Sequence, residues 1–577
     1  MANKRKTMIA TQWRLALLGA LLIAVLFAIL WRLVDLCIVQ PEFYQRYSDK
    51  RWQPARVVSA ERGVINDRNG QPLAISTPVL NVGMYPSILN MHPDRWPELA
   101  KQLGLDYKRL EKKIKSRAGQ RGRFVYLKRR IPPQQGERLM ALGIPGINVQ
   151  SSYKRYYPAG EVATHILGYT DIEDRGQEGV ELAFDSALTS IAGKRHVMLG
   201  IKQNVVKELP WIDGKQHKPG EAIDLSIDMR IQSIAHHELK KAVRKYRARS
   251  ASLVLLDAQT NEVLAMVNQP AANPNDRTHM DFGAFRNRAM TDLIEPGSTI
   301  KPFSVAAALE SGIFDEKSRI NVSPGRIKID GKIISDAANY DELDLSGVLR
   351  KSSNVGITKV ALALPETGVR DYLSRMGMGG DSGSGFPGER MGNLPSYATW
   401  RPVQRATLAY GYGLSVTTVQ LAQAYSVFAA GGTRKPVSIL KLDQPPMGEQ
   451  VMKPEVARQV VKMMESVTAP GGTGTRAAVP GYRVAGKTGT VHKVGRNGYE
   501  DSRYVAVFAG LAPASNPRLV AVVVINDPAS EQYHGGQVAA PVFSRVMAAA
   551  LRLKSITPDQ PVIPMLASGS IIAGGAR

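Results

Sequence analysis

The sequence predicts a multidomain α+β protein: one N-terminal transmembrane helix, an exported N-terminal domain, and a C-terminal domain on a mostly antiparallel five-stranded sheet flanked by helices. Three observations carry this reading. One uncharged apolar run stands near the N-terminus. Five strand-like runs fall into two groups with about 200 residues of mainly helical pattern between them. The 577 residues also exceed what one hydrophobic core usually organises.

Leu15 to Trp31 carries no charge, and its apolar character continues past Arg32 and Asp35 to Val39. That is about the ~20 residues needed to cross a bilayer. Lys4, Arg5, Lys6 and Arg14 precede the run, so the positive-inside bias keeps the first residues in the cytoplasm and sends everything after residue 40 outside. A cleaved signal peptide is the competing reading. It is disfavoured because the run exceeds a usual signal core and no small-residue cleavage site follows, only Asp35-Leu36-Cys37-Ile38-Val39-Gln40. Export also demotes nucleic acid as the reason for the formal charge of +25. With 44% hydrophobic and 22% charged residues the composition is neither disordered nor polytopic. Cys37 is the one cysteine, which excludes intrachain disulfides and cysteine-clustered zinc.

Residues 40–221 are basic and mixed, with a turn-rich Arg62 to Gly70 and a charged stretch from Lys108 to Arg130. Turn signals at Asp213-Gly214 and Lys218-Pro219-Gly220 place a boundary near 221. Beyond it, Ile231, Ile234, Leu239, Ala242 and Val243 recur at helical spacing. Ser252 to Leu256 and Val263 to Val267 read as a hairpin. Tyr482 to Val491, Tyr504 to Leu511 and Leu519 to Ile525 read as three more strands, with a helix over Ala540 to Leu553 behind them. The expected division is therefore 1–39 tail and anchor, 40–221 exported N-terminal domain, 222–555 main domain and 556–577 a C-terminal tail without period.

Ser298-Thr299-Ile300-Lys301 fits S-x-x-K, which puts a serine nucleophile and a lysine on one helical face. The pattern alone is weak, since Ser151 to Lys154 and Ser438 to Lys441 fit it too. Context separates Ser298: a Glu295-Pro296-Gly297 turn precedes it and a helix over Lys301 to Glu310, ended by Gly312, follows. At a helix N-terminus the dipole favours negative charge on the hydroxyl oxygen, although serine there is most often just a cap. Ser352-Ser353-Asn354 is the one S-x-N and Lys487-Thr488-Gly489-Thr490 holds the one K-T-G, at 54 and 189 residues beyond Ser298. A lone K-T-G on an edge strand would mean little; the order and spacing of all three motifs mean more.

On these three motifs the sequence resembles the penicilloyl-serine transferases, the group of penicillin-binding proteins and serine β-lactamases. Arg62 to Gly70 looks like the RGxIxDRNG segment of class B penicillin-binding proteins, and Gly176 to Glu181 like their GxEGxE segment. Ser226-Ile227-Asp228 and Tyr410-Gly411-Tyr412-Gly413 fit as well, so the resemblance spans the chain from the anchor to about residue 550. Nothing resembles the acidic motifs of a glycosyltransferase module. Thr291 to Ser298 is similar to the division-specific members of the class. Ser353, where β-lactamases have Asp, suits a transpeptidase. The resemblance implies an elongated N-terminal pedestal or dimerisation domain at 40–221 and a transpeptidase domain at 222–555. The substrate it implies is a peptidoglycan stem peptide ending in D-Ala-D-Ala, with covalent capture by β-lactams. It further implies partners among membrane-embedded glycan polymerases and other division proteins, and no cofactor.

The residue types set the chemistry. A serine needs a base, and a free lysine with pKa ~10.4 is protonated at neutral pH. Lys301 must therefore be depressed, by burial and by a second cation, for which Lys487 is the obvious candidate. The resemblance carries over a proton relay for Ser352 and hydrogen bonds from Asn354 to Lys301 and the substrate. Backbone N–H groups of Ser298 and Thr490 would form an oxyanion hole, and Lys487 with Thr488, Gly489 and Thr490 would hold the substrate's terminal carboxylate.

The histidines read more plainly. His236 and His237 point about 100° apart on a helix and cannot share a metal; His492 and His534 read as solvated residues near sheet ends, and no metal site is expected. Lys128, Arg129 and Arg130 read as a solvated face. Beside the division-type D,D-transpeptidase stand an elongation-type transpeptidase and a hydrolase, either β-lactamase or D,D-carboxypeptidase. A non-enzymatic β-lactam receptor would need cytoplasmic signalling machinery, for which a tail of about fourteen residues leaves no room.

Overall fold

The computed structural model describes residues 2–39, 55–119, 124–199, 205–214, 216–276, 278, 281–495 and 498–561. The tail expected from Ile556 lies outside them beyond residue 561. The N-terminal helix spans Ala2–Val34 and continues as a π-helical turn over Asp35–Val39. Trp13–Val39 is long and apolar enough to cross a membrane. The two charges that interrupt its apolar character pair with each other, Arg32 to Asp35 at 2.8 Å.

By internal contacts the chain divides into two units. One comprises residues 1–61, 78–154 and 190–220; the other comprises 62–77, 155–189 and 221–577. In the first, residues 80–84 of a long strand pair with Val125–Ile131, and helices Trp96–Leu103 and Tyr107–Lys115 cover them. Val82, Met84, Leu99, Leu103, Leu110 and Ile114 make its core. The basic Lys128-Arg129-Arg130 run is less solvated than expected. Lys128 donates to the Leu103 carbonyl at 2.5 Å and Arg129 lies over the Tyr126 ring, so the run closes the strand against the helices.

The second unit is organised by a five-stranded sheet whose strands lie in the order 263–269, 248–257, 519–528, 498–512 and 485–495, with every neighbouring pair antiparallel. Helix α1 (Met229–Tyr246), N-capped by the Asp228 carboxylate, leads into the hairpin of β1 (Ala248–Asp257) and β2 (Val263–Gln269). A helical insert follows. It contains α2 (Lys301–Ser311), α3 (Leu345–Lys351), α4 (Asn354–Ala363), α5 (Thr418–Ala429) and α6 (Pro454–Thr468). The chain then returns as β3 (Ala485–Gly495), β4 (Gly498–Ala512) and β5 (Leu519–Pro528), and ends in α7 (Ala540–Leu553).

Side-chain alternation assigns the two faces of the sheet. Leu253 and Leu255 of β1, with Phe508 and Val523, pack on α1 and α7, where Phe508 meets Phe543 edge-on at 4.7 Å. Val254 and Leu256, with Val507 and Val522, pack on the helical insert. Helix α2 is buried along Lys301–Ala308, as a helix apolar on all sides must be. Its Phe303 meets Tyr425 edge-on and packs at a tilt on Phe428, both of α5.

The turn-rich segment at Arg62 closes a buried ion cluster within this unit. Glu181 accepts from Arg62 Nε at 2.7 Å and from Arg155 Nε at 2.6 Å, and all three side chains are at most 3% exposed. Arg62 further donates to the Asp174 and Glu181 carbonyls, which fixes the entry of the chain. Removing the Glu181 carboxylate takes from Arg155 the partner it pairs with at 2.6 Å and leaves Arg62 with Asp185, 2.8 Å away at the edge of the cluster, so a guanidinium is uncompensated in a low-dielectric interior. Glu181→Gln is expected to lower unfolding free energy by about 3–5 kcal/mol, read from denaturant melts followed by tryptophan fluorescence; a change within error would show that the cluster is not stabilising.

Candidate active site

Ser298 lies in a 3-10 turn, Gly297–Ile300, that runs directly into α2 and so carries Ser298 and Lys301 onto one side of a continuous helical path. Gly297 starts the turn at φ +55°, and a Cβ there would meet Val491 of β3 at 2.3 Å. Thr299 caps back to the Pro296 carbonyl, and the buried Tyr425 hydroxyl donates to the Thr299 carbonyl at 2.7 Å. The serine is held by its backbone, and its hydroxyl carries no hydrogen bond among the described residues.

The other two S-x-x-K matches lack this geometry. Ser151 and Lys154 sit on an extended strand, where residues three apart point to opposite faces. Ser438 lies in a loop and turns its hydroxyl to the Leu440 carbonyl.

Ser352 ends α3 in the left-handed conformation, φ +59°, which a serine adopts at a cost of roughly 1 kcal/mol. That kink separates α3 from α4 and turns the Ser352 carbonyl and hydroxyl toward α2. Lys301 Nζ donates to the Ser352 carbonyl at 2.5 Å and to Asn354 Oδ1 at 2.8 Å, and stands 3.2 Å from Ser352 Oγ. A neutral amine has two N–H groups, which the two carbonyl oxygens take, leaving its lone pair available.

Lys487 enters on β3, the edge strand, and its Nζ lies 3.0 Å from the same Ser352 Oγ and 3.1 Å from the Thr488 carbonyl. Both lysines are fully buried. Burial first, and the neighbouring Lys487 second, hold Lys301 well below the ordinary lysine value, while the Asp336 carboxylate pulls the other way. Burial brings Lys487 down to about 7. The expected second cation is therefore present beside Lys301, with one serine hydroxyl between the two amines.

The strand passes very close to the serine turn at Gly489. A Cβ at that position would lie 2.9 Å from the Pro296 carbonyl oxygen, so only glycine lets β3 approach. Thr488 and Thr490 share the opposite pleat: Thr488 Oγ1 is 2.8 Å from Thr473 Oγ1, and Thr490 Oγ1 accepts from Gly535 N–H. The structure thus brings Ser298, Lys301, Ser352, Asn354 and Lys487 together, with Thr488, Gly489 and Thr490 beside them.

Asp336 was not visible as a site residue in the sequence. It follows a short hairpin, and its carboxylate accepts from Ser353 Oγ and Asn354 N–H, both at 2.5 Å, and from Val355 N–H at 3.0 Å. Ser353 in turn accepts from Gly356 N–H as the N-cap of α4. This gives the middle serine of S-x-N a structural task and shows why it differs from the β-lactamase form. An acid 18 residues before Asn354 with no motif around it offers no signal. Among the histidines, His236 is buried beside Gln269 while His237 is exposed; His492 packs at a tilt against Tyr504 and His534 against Tyr533. No group of three or more metal-ligating side chains occurs among the described residues.

Two family models match the chain: a penicillin binding protein transpeptidase domain over residues 251–548 and a penicillin-binding protein dimerisation domain over 57–225. The chain is 43% identical over 555 residues to the peptidoglycan D,D-transpeptidase FtsI of Escherichia coli, covering 95% of this chain and 93% of that protein. It is 41% identical over 547 residues to the probable peptidoglycan D,D-transpeptidase PbpC of Pseudomonas aeruginosa, covering 95% and 96%. The solved transpeptidase domain of Burkholderia pseudomallei penicillin-binding protein 3 matches with TM-score 0.54 at 41% identity, covering 58% of this chain and 98% of that one.

The two lysines supply opposite tests of the electrostatics. Lys487→Gln removes a cation, lets Lys301 keep its proton longer, and is expected to move the acid limb of penicillin acylation to higher pH. Asp336→Asn removes the charge that favours the ammonium form, so it is expected to move that limb to lower pH while weakening the α4 cap by about 1 kcal/mol. Acylation rate constants measured over roughly pH 5 to 10 check both; displacement of both variants in the same direction would refute this account.

Proposed function

The chain belongs to the penicillin-binding protein transpeptidase family, and on that premise we propose that it is a serine D,D-transpeptidase that crosslinks peptidoglycan stem peptides and is acylated by β-lactams. The observation that carries the mechanism is the Ser352 hydroxyl between two buried lysines. Lys301, neutral because it is buried beside a second cation, takes the proton of Ser298 as the hydroxyl attacks the penultimate D-Ala carbonyl. The tetrahedral oxyanion is held by the N–H groups of Ser298 and Thr490, which Gly489 allows to lie close together. Ser352 passes the proton to the leaving D-Ala amine, and Asn354 keeps Lys301 aimed. The substrate's terminal carboxylate rests against Lys487, Thr488 and Thr490, and its arrival favours the charged form of Lys487.

The acyl-enzyme then awaits an amine rather than water, since among the described residues no carboxylate hydrogen-bonds to Ser298 or Lys301. A β-lactam stays attached because its tethered ring blocks that amine. Thr291 to Ser298 supports a role in septal synthesis. The partners expected with that role are a membrane-embedded glycan polymerase and other division proteins. Basic residues before the apolar helix support an orientation with the catalytic unit on the outer side of the cytoplasmic membrane.

Acylation of the purified protein with benzylpenicillin and mass mapping tests the nucleophile. The adduct is expected on Ser298 and absent in Ser298→Ala; an adduct on Ser151 or Ser438 would refute the assignment. The adduct is expected to persist for many minutes, and release within seconds would transfer the protein to the hydrolase reading. Protease added to intact spheroplasts is expected to digest the residues beyond the apolar helix, and full protection would overturn the orientation.

A further inference from the structure

The stretch expected from Ile556 to be a tail without period starts as an ordered strap. Helix α7 runs out into a left-handed residue, Ser555 at φ +52°, and Ile556 N–H reaches back to the Leu551 carbonyl at 2.9 Å, which turns the chain off the helix axis. The Ile556 side chain packs on the core beneath α7, and Pro558 bars a return to helix. Hydrogen bonds then tie the strap to two neighbouring turns. The Tyr482 hydroxyl donates to the Ile556 carbonyl at 2.6 Å, and Gln560 N–H to the Gly481 carbonyl at 3.2 Å. The half-buried Asp559 joins both turns: one carboxylate oxygen accepts from Arg483 N–H at 2.7 Å, and the other from the Ser515 hydroxyl at 2.7 Å and its N–H at 3.3 Å.

Residues 481–483 are the lead-in to β3, the strand that carries Lys487. As an edge strand β3 has a partner on one side, and its ladder to β4 starts only at Ala485, opposite Leu511. The lead-in is therefore held from outside the sheet. Arg483 is its fixed point: Asp559 takes its N–H, Ala514 N–H donates to its carbonyl at 2.8 Å, and its guanidinium meets both oxygens of Glu465 on α6 at 2.8 Å. Four residues on, Lys487 is fully buried, and its hydrogen-bond partners are the Ser352 hydroxyl and the Thr488 carbonyl and hydroxyl, none of them charged. A buried amine without a carboxylate partner is drawn toward water whenever it takes a proton. Its backbone must hold it in.

We propose that residues 556–560 are a strap that positions Lys487 for the reaction, with Asp559 as its positioning residue. The proposal rests on the transpeptidase reading and deepens it, by adding to the same site a part that touches no reacting atom. Asp559 acts through Arg483 and the start of β3. With the strap closed, Lys487 Nζ stays 3.0 Å from Ser352 Oγ and serves as the second cation beside Lys301. With the strap released, the start of β3 moves and takes Lys487 with it. Lys301 then faces the Asp336 carboxylate without an opposing cation and keeps its proton to higher pH.

The test uses the full-length protein in detergent, with benzylpenicillin acylation followed over roughly pH 5 to 10 and stability read from urea melts. Asp559→Ala is expected to slow acylation at neutral pH about tenfold, the scale of losing hydrogen bonds to a charged group. It is also expected to move the acid limb to higher pH, the direction expected for Lys487→Gln. Asp559→Asn keeps an acceptor for Arg483 N–H and is expected to restore most of the rate. A chain ending at Pro561 is expected to match the full-length protein, and one ending at Ser555 to match Asp559→Ala; if the latter does not fold, the two Asp559 substitutions decide alone. Val546→Ala thins the core beneath α7 without touching the strap, so it is expected to lower the urea midpoint and leave the limb in place. An unmoved limb in Asp559→Ala, an equal displacement in Val546→Ala, no recovery in Asp559→Asn, or loss of activity in the chain ending at Pro561 would overturn the proposal. Absence of fluorescent-penicillin labelling in the wild type would instead defeat the transpeptidase reading itself.

Discussion

Everything catalytic in this molecule depends on burying two lysines around one serine hydroxyl. Two ammonium groups in that space repel each other and lose their water, so the interior holds Lys301 as an amine. The surrounding fold makes the arrangement tolerable. Helix α2 is buried on all sides and cannot turn Lys301 out to solvent, α3 breaks at Ser352 to offer a carbonyl, and β3 brings Lys487 from a distant part of the chain. Each lysine is therefore fixed by a different element, and their proximity is a tertiary achievement.

Much of this was legible in the sequence because the chemistry is written in short local patterns. The helix at Lys301, ended by Gly312, and the strands at Val263, Tyr504 and Leu519 follow from period and punctuation, and the structure places them at those positions with small shifts at the ends. The five-stranded antiparallel sheet fed from both ends of its domain is also as the pattern implied. K-T-G lies within the strand read over Tyr482 to Val491, where Gly489 serves close approach and not a turn.

What stayed hidden depends on contacts between residues far apart in sequence. Asp336 is an ordinary surface-type acid until folding sets it beneath the N-terminus of α4. Segments 62–77 and 155–189 look like parts of one basic N-terminal stretch, yet they pack with the second unit, because Arg62 and Arg155 need Glu181 and the three are buried together. Cationic side chains at 249, 286, 288, 390 and 493 are scattered along the chain, and only the closed sheet gathers them around one cavity.

The sheet's strand order has a consequence for the life of the chain before it is complete. Its hairpin β1–β2 is synthesised first, but the strand that pairs with β1 on its other side is β5, some 250 residues later. Until ribosomes have delivered residues near 528, the hairpin can pack on α1 and pair with itself, but the edge of β1 that β5 will cover has no partner. Such long-range closure is slow and leaves apolar edges open to wrong pairing. Because Lys487 arrives only with β3, products truncated before it carry Ser298 and Lys301 without the second cation that helps to keep Lys301 neutral.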